Sequence, residues 1–356
     1  MKKIVLTGGG TAGHVTPNIA LLPALKEAGY EAYYIGSYKG IEKGLIEDCG
    51  IPYYGISTGL LRRYFDLRNF SDPFRVLKGC KEAKKILSEI KPDVVFSKGG
   101  FVGVPVVKAA KRLKIPCVIH ESDMTPGLAN KLCISSAKKI CCNFPETVEM
   151  MPKGKAVLTG SPIRKELFEG NKERGLKLCG FSKDKPVIMV IGGSQGAGSV
   201  NQTVREIIPK ILPNYQVAHI CGKDKVDNLM LTINGYKQFE YLKDELKDIY
   251  AMADIVISRA GANSICELLA LKKPNILIPL SVGTRGDQIL NAASFAEQGF
   301  SVLLREEALD PSNLIDKINE LYADRQKYID AMKNSSQIDP IESIMKVINE
   351  EAIQEK

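Results

Sequence analysis

Two glycine-rich segments, each directly behind an apolar run, lie about half a chain apart. Gly8-Gly9-Gly10-Thr11-Ala12-Gly13-His14 follows residues 3–7, and Gly192-Gly193-Ser194-Gln195-Gly196-Ala197-Gly198 follows residues 187–191. A glycine turn between a buried strand and a helix start lets backbone N–H groups approach a phosphate closely. Two such turns predict two similar domains sharing a cleft. Gly8, Gly10 and Gly13 also fit G-x-G-x-x-G. A nicotinamide site, however, wants an acid ending the second strand, and the run there ends Ile35-Gly36-Ser37. No dinucleotide is expected.

Other residues with chemistry leave the same ends of later strand-like runs. They include Ser97-Lys98-Gly99-Gly100-Phe101-Val102-Gly103, His120-Glu121-Ser122-Asp123 and Ser258-Arg259-Ala260-Gly261-Ala262-Asn263. His14 sits where a helix begins. The helix dipole disfavours a cation there, which keeps the imidazole neutral and available as a base. His120-Glu121 ends a buried strand, so its side chains either enter the cleft or pin a loop. Glu267, on the helix after Gly261, is a carboxylate suited to ribose hydroxyls. Gln288 and Asn291 lie three apart on one helix face, where neutral amides suit a sugar. His219, inside an apolar run, reads as structural.

The elements that must position these residues alternate from end to end. Strand candidates are 3–7, 32–36, 93–97, 115–120 and 138–143, then 186–191, 216–221, 254–258, 275–280 and 300–304. Helical periods fill 74–90, 102–113, 200–212, 262–271 and 287–298. This alternation predicts α/β architecture, with two doubly wound parallel sheets apolar on both faces. The boundary falls near Gly160-Ser161-Pro162-Ile163-Arg164, behind a strand-like Ala156-Val157-Leu158. It gives domains 1–162 and 163–339, followed by an amphipathic helix over 340–356. Pro23 is expected to kink the first helix, whereas Pro17 suits its first turn.

Composition narrows the partners. Residues 1–165 carry 26 Lys and Arg against 14 Asp and Glu, and the remainder carries 23 against 27. A basic first half suits an anionic membrane, a nucleic acid or a phosphorylated substrate. No nucleic-acid motif is present, Trp is absent, and the basic residues are not interleaved with aromatics. Nine cysteines without paired spacing, and no H-E-x-x-H or D-x-D, point to buried thiols and no metal or cofactor. No apolar run reaches the roughly 20 residues of a membrane span, and no signal-peptide core precedes Gly8. The segment Gly59–Phe70 mixes Leu60, Leu61 and Phe65 with Arg62 and Arg63, a composition suited to an anionic membrane interface.

Taken in order, these motifs resemble the MurG family, the bacterial peptidoglycan GlcNAc transferases, over nearly the whole chain. The resemblance runs through Gly9–His14, Gly99-Gly100-Phe101-Val102-Gly103-Val104-Pro105, His120-Glu121 and Gly127-Leu128-Ala129-Asn130-Lys131. It continues through Gly160–Arg164, Gly192–Ala197 with Asn201, Ser258–Ala262, Glu267, and Asp287-Gln288 with Asn291. It departs at Ala12, where the family often has Gly, and at Ser122-Asp123, where it often has Gln-Asn.

The resemblance implies a GT-B fold of two Rossmann-like domains, with the helix 340–356 packing back on the first, and inverting transfer of GlcNAc from UDP-GlcNAc to the C4 hydroxyl of MurNAc in undecaprenyl-linked lipid I. Another UDP-sugar lipid glycosyltransferase, acting for example on diacylglycerol, and a UDP-GlcNAc 2-epimerase type remain alternatives. It implies His14 as general base, with His120 and Glu121 beside it. Donor contacts fall on Thr11, Ala12, Gly13, Asn130, Arg164, Ser194, Gln195, Gly196, Asn201, Leu242, Arg259, Ala262, Glu267, Gln288 and Asn291. Acceptor pyrophosphate contacts fall on Gly9, Gly10, Thr11, Gly13, Gly99, Gly100, Phe101 and Gly103. The enzyme is then expected at the cytoplasmic face of the membrane, without a metal, with other cell-wall synthesis proteins as further partners.

Overall fold

The structure, a computed structural model, describes residues 1–59, 68–193, 196–281, 286–335 and 339–353. The chain divides into two units, one of Met1–Arg164 with the return from Asp339, the other from Lys165 to Ile338.

The first unit holds a sheet of seven strands: β1 (Lys2–Thr7), β2 (Tyr30–Ser37), β3 (Tyr53–Ile56), β4 (Val94–Ser97), β5 (Cys117–Glu121), β6 (Lys139–Cys142) and β7 (Ala156–Leu158). Their spatial order is 3-2-1-4-5-6-7 and every pairing is parallel. The order reverses between β1 and β4, where Thr7 pairs with Ser97. In an open parallel sheet, loops part at such a point and leave room for a ligand.

The apolar runs work on both parities. Val5, Ile35, Val95, Ile119 and Ile140 pack on one face with Ala83 and Leu87 from the helix Arg68–Ile90. Ile4, Leu6, Val94, Phe96 and Val118 pack on the other, against Ile344, Val347 and Ile348 of the helix Pro340–Ile353. That last helix therefore completes the first unit's core. Pro17 occupies the first turn of the helix Thr16–Glu27, and Pro23 lies inside it.

The second unit repeats the plan with β8 (Val187–Ile191), β9 (Gln216–Ile220), β10 (Tyr236–Phe239), β11 (Ile255–Ser258), β12 (Asn275–Leu277) and β13 (Val302–Leu303), in the order 10-9-8-11-12-13. All pairings are again parallel, and Ile191 stands beside Ser258 where the order reverses. Each unit thus brings two loops together at its switch point. All nine cysteines are free.

Candidate functional site

In the first unit the loops behind β1 and β4 are in contact. Lys98 N–H donates to Thr7 O at 2.9 Å. Gly100 has φ +77°, and a Cβ there would stand 2.4 Å from Gly9 O and 3.2 Å from His14 Cδ2. Only glycine lets these loops close on each other. His14 ends the short turn Ala12–His14, with its N–H bonded to Thr11 O. Its Nδ1 is shielded from solvent and has no hydrogen-bond partner. Burial, helped by the positive charge of Lys98, lowers its pKa to about 4, against a weaker opposing hydrogen bond that the ring donates to the Lys98 backbone carbonyl. The imidazole is therefore neutral near pH 7 with one ring nitrogen uncommitted, which is what a general base needs. Asn18, fully buried, fixes this corner by donating to Thr7 O at 3.1 Å.

His120 and Glu121, predicted beside the catalytic base, are both engaged in internal hydrogen bonds. A carbonyl only accepts and an ammonium only donates. His120 Nε2–H therefore donates to Gly160 O at 2.9 Å, and Nδ1 accepts from Lys98 Nζ at 3.0 Å. Burial first, then the Lys98 charge, holds this imidazole neutral. Both nitrogens are occupied, and His120 holds Lys98. Lys98 also donates to Ser122 Oγ.

Glu121 accepts from the N–H groups of Ser122, Asp123 and Gly127 at 2.9, 3.1 and 2.9 Å, and from Asn130 Nδ2 at 2.8 Å. Burial raises its pKa against those bonds. It pins the loop behind β5. Asn130, predicted to meet the donor, spends its amide N–H groups on Glu121 and on His120 O at 3.0 Å.

The glycine loop is also not wholly free for a pyrophosphate. Gly10 N–H donates to Glu42 Oε2 at 3.3 Å, and a Cβ on Gly9 would stand 2.7 Å from the Glu42 carboxyl carbon. Glu42 is fully buried and also takes the Ser37 N–H at 2.9 Å. A carboxylate thus already uses part of the cradle. Gly103 N–H bonds to Gly100 O, and Phe101 leans on the apolar core, so both are packing residues where acceptor contacts were predicted. Thr11 and Ala12 are exposed, while Gly13 and Arg164 are half-buried, Arg164 ending this unit's first stretch.

In the second unit the helices Gly198–Ile211 and Ala262–Ala270 start behind β8 and β11, and neither has a side-chain cap. Helix starts that no cap side chain closes suit an anion. Ala262 is the first residue of the second helix. Glu267, half-buried on it, accepts from Tyr250 Oη at 3.4 Å. Gln288 accepts from Leu280 N–H through its oxygen at 3.0 Å.

Three predicted donor contacts are spent internally. Asn201 donates to Cys221 O at 2.9 Å and meets His219 Nε2 at 3.0 Å. Asn291 is fully buried and donates to Ala260 O at 3.3 Å. Arg259 pairs with Glu306 at 2.6 Å. Leu242 is buried, with exposed Tyr241 beside it. At Gly196 a Cβ would stand 2.0 Å from Cys221 O, so this glycine serves a close backbone approach.

Ser194 and Gln195, and the membrane candidates Leu60, Leu61, Arg62, Arg63 and Phe65, lie outside the described residues. Among the described residues no group of three or more His, Cys, Asp or Glu is arranged to hold a metal ion. Sequence reasoning had passed over Lys98, Asn18, Glu42 and Glu306. Only Lys98 carried a signal, as a cation directly before Gly99-Gly100.

Comparison with known proteins agrees across both halves. Residues 4–142 match the glycosyltransferase family 28 N-terminal domain, and residues 187–348 match its C-terminal domain. The chain is 64% identical over 351 residues to the UDP-N-acetylglucosamine–N-acetylmuramyl-(pentapeptide) pyrophosphoryl-undecaprenol N-acetylglucosamine transferase of Lachnospira eligens, covering 98% of this chain and 99% of that one. It is 57% identical to the protein of the same name from Clostridium botulinum strain Kyoto, with the same coverage. Among solved structures it superimposes on MurG of Acinetobacter baumannii with a TM-score of 0.78 at 25% identity, covering 98% and 100% of the two chains. Two matched domains and relatives of such identity along the full length leave one placement: the chain belongs to glycosyltransferase family 28, in its MurG branch.

Proposed function

We propose that this protein moves GlcNAc from UDP-GlcNAc to the C4 hydroxyl of MurNAc in undecaprenyl-pyrophosphoryl-MurNAc-pentapeptide, with inversion at the anomeric carbon. The relatives at 57–64% identity bear the name of that reaction. The observation that carries the mechanism is His14, neutral and with an unpartnered Nδ1.

His14 accepts the proton of the attacking hydroxyl as the oxygen bonds to the anomeric carbon and the bond to the UDP oxygen breaks. The UDP leaves as an anion. Its charge falls to the uncapped starts of the helices Gly198–Ile211 and Ala262–Ala270. Glu267 holds the ribose, and the free amide N–H groups of Gln288 point to a sugar contact. On the acceptor side, Lys98 supplies positive charge beside the loop of Thr11–Gly13, and Glu42 limits how much of Gly9-Gly10 a pyrophosphate uses. No metal enters this scheme.

The membrane face belongs to the first unit. Phe74 and Leu77 on the helix Arg68–Ile90 are 74% and 56% exposed, with exposed Arg75, Lys78 and Lys81 around them. Apolar side chains ringed by cations suit an anionic lipid surface. No helix among the described residues is long and apolar enough to cross a membrane.

UDP release tests the reading, in three arms with a lipid I analogue, with diacylglycerol, or with UDP-GlcNAc alone. Release only with the lipid I analogue is expected. Release with diacylglycerol alone, or conversion of UDP-GlcNAc to its 2-epimer without acceptor, replaces the reading.

A further inference from the structure

The guanidinium of Arg259 is not turned out towards a ligand. It is 8% exposed, and it donates to Ile278 O at 3.1 Å, to Ser199 Oγ at 3.2 Å and to Glu306 Oε1 at 2.6 Å. Glu306 stands in the short turn Glu306–Ala308, behind β13. Its Oε1 also accepts from Ser199 Oγ at 2.5 Å, and its Oε2 accepts from the N–H and the hydroxyl of Ser281, both at 3.0 Å. Ser199 is in the first turn of the helix behind the second glycine loop. Arg259 directly follows β11. Ser281 follows β12. One carboxylate from the β13 exit therefore ties together the exits of β8 and β11, which flank the switch point, and of β12.

We propose that Glu306 is a positioning residue for the sugar-nucleotide site, holding the segments behind β8, β11 and β12 in one arrangement before the donor arrives. The inference rests on the donor reading of the second unit. It assigns Arg259 to this tie and leaves the charge of the departing diphosphate to helix N-termini. The pairing survives acidification. Burial works to raise the Glu306 pKa, but the bonds from Arg259, Ser199 and Ser281 overcome it and bring the value to about 2. The tie is thus intact throughout any practical assay range.

Glu306→Gln keeps the size and removes the charge. Losing a charge-assisted bond and part of the tie is expected to raise the Kd of UDP, measured calorimetrically, and the KM of UDP-GlcNAc by about tenfold. The acceptor KM is expected to stay within about twofold, a split that general destabilisation does not produce. Ser281→Ala is expected to raise the donor constants about threefold and to add little to Glu306→Gln, because both cut one tie. Donor constants unchanged or lowered in folded Glu306→Gln overturn the proposal. If that variant does not fold, unchanged constants in Ser281→Ala overturn it. A parent protein that binds no UDP removes the donor reading itself, and is distinguished because no variant is needed to see it.

Discussion

Replacing His14 tests the chemistry at its narrowest point. His14→Ala removes a ring whose Nδ1 has no partner, so the one bond lost is that to the Lys98 backbone. A positioned general base contributes roughly 10²–10⁴ in rate, or about 2.7–5.4 kcal/mol of barrier. Turnover should fall by that factor, while UDP-GlcNAc affinity, placed on the second unit, should stay within about threefold.

The pH profile adds a quantity read from the structure. With a pKa near 4 in place of 6.5, the base is unprotonated down to mildly acid pH. The acid limb of kcat/KM, which reports the free enzyme, is then expected near pH 4. The limb of kcat is expected higher, because a bound pyrophosphate offsets the Lys98 charge that helps depress the imidazole. Lys98→Met should likewise move the free-enzyme limb upward. Steady-state UDP release from about pH 3 to 9 on the three proteins gives the limbs, and calorimetry gives the UDP-GlcNAc affinity. Parent-like turnover in His14→Ala removes His14 from the base role. A free-enzyme limb still near 6.5 refutes the argument from burial and Lys98.

Glu267→Ala should weaken UDP-GlcNAc binding about tenfold by calorimetry, the scale of a charged hydrogen-bond acceptor lost from a ribose; unchanged affinity contradicts that assignment. Phe74→Ser should lower binding to anionic vesicles about tenfold in sedimentation, since burying one large apolar side chain is worth about 1.5–3 kcal/mol; undiminished binding moves the membrane face elsewhere. His219, fully buried between Tyr236 Oη and Asn201 Oδ1, has its pKa lowered to about 3 by burial and then by Arg205. Because the unfolded chain takes up this proton first, the contribution is complete above pH 6.5 and is lost as pH falls towards 3. Between pH 7 and 5 that is about 2 kcal/mol. Urea unfolding should show His219→Gln with a correspondingly shallower pH slope, and an equal slope contradicts the account.

The sheets were legible because parallel strands buried on both faces are continuous apolar runs. β3 and β10 were not, and both are edge strands. Tyr236–Phe239 alternates buried and exposed residues and carries Lys237 and Gln238, so no apolar run marks it. At the site, the glycine turns and His14 stood out because backbone geometry and helix starts leave local signatures.

Glu42 and Glu306 did not, and Lys98 did so only as a cation directly before Gly99-Gly100, since a charged residue reads as solvated until its partner is known. Their partners Gly10, His120 and Arg259 come from distant stretches of chain. Asn130, Asn201 and Asn291 pose the converse problem. Amides on a helix face suit a sugar equally well in sequence, but these three close hydrogen bonds inside their own units.

The central claim is a transfer between two unlike substrates, with the acceptor received by the first unit and the donor by the second. Radiolabelled UDP-GlcNAc incubated with a lipid I analogue and the purified protein tests it most directly. The account predicts label in a lipid-linked disaccharide joined β-1,4 through the MurNAc C4 hydroxyl, and its loss in His14→Ala. Label remaining in the nucleotide, or appearing as free GlcNAc, contradicts it.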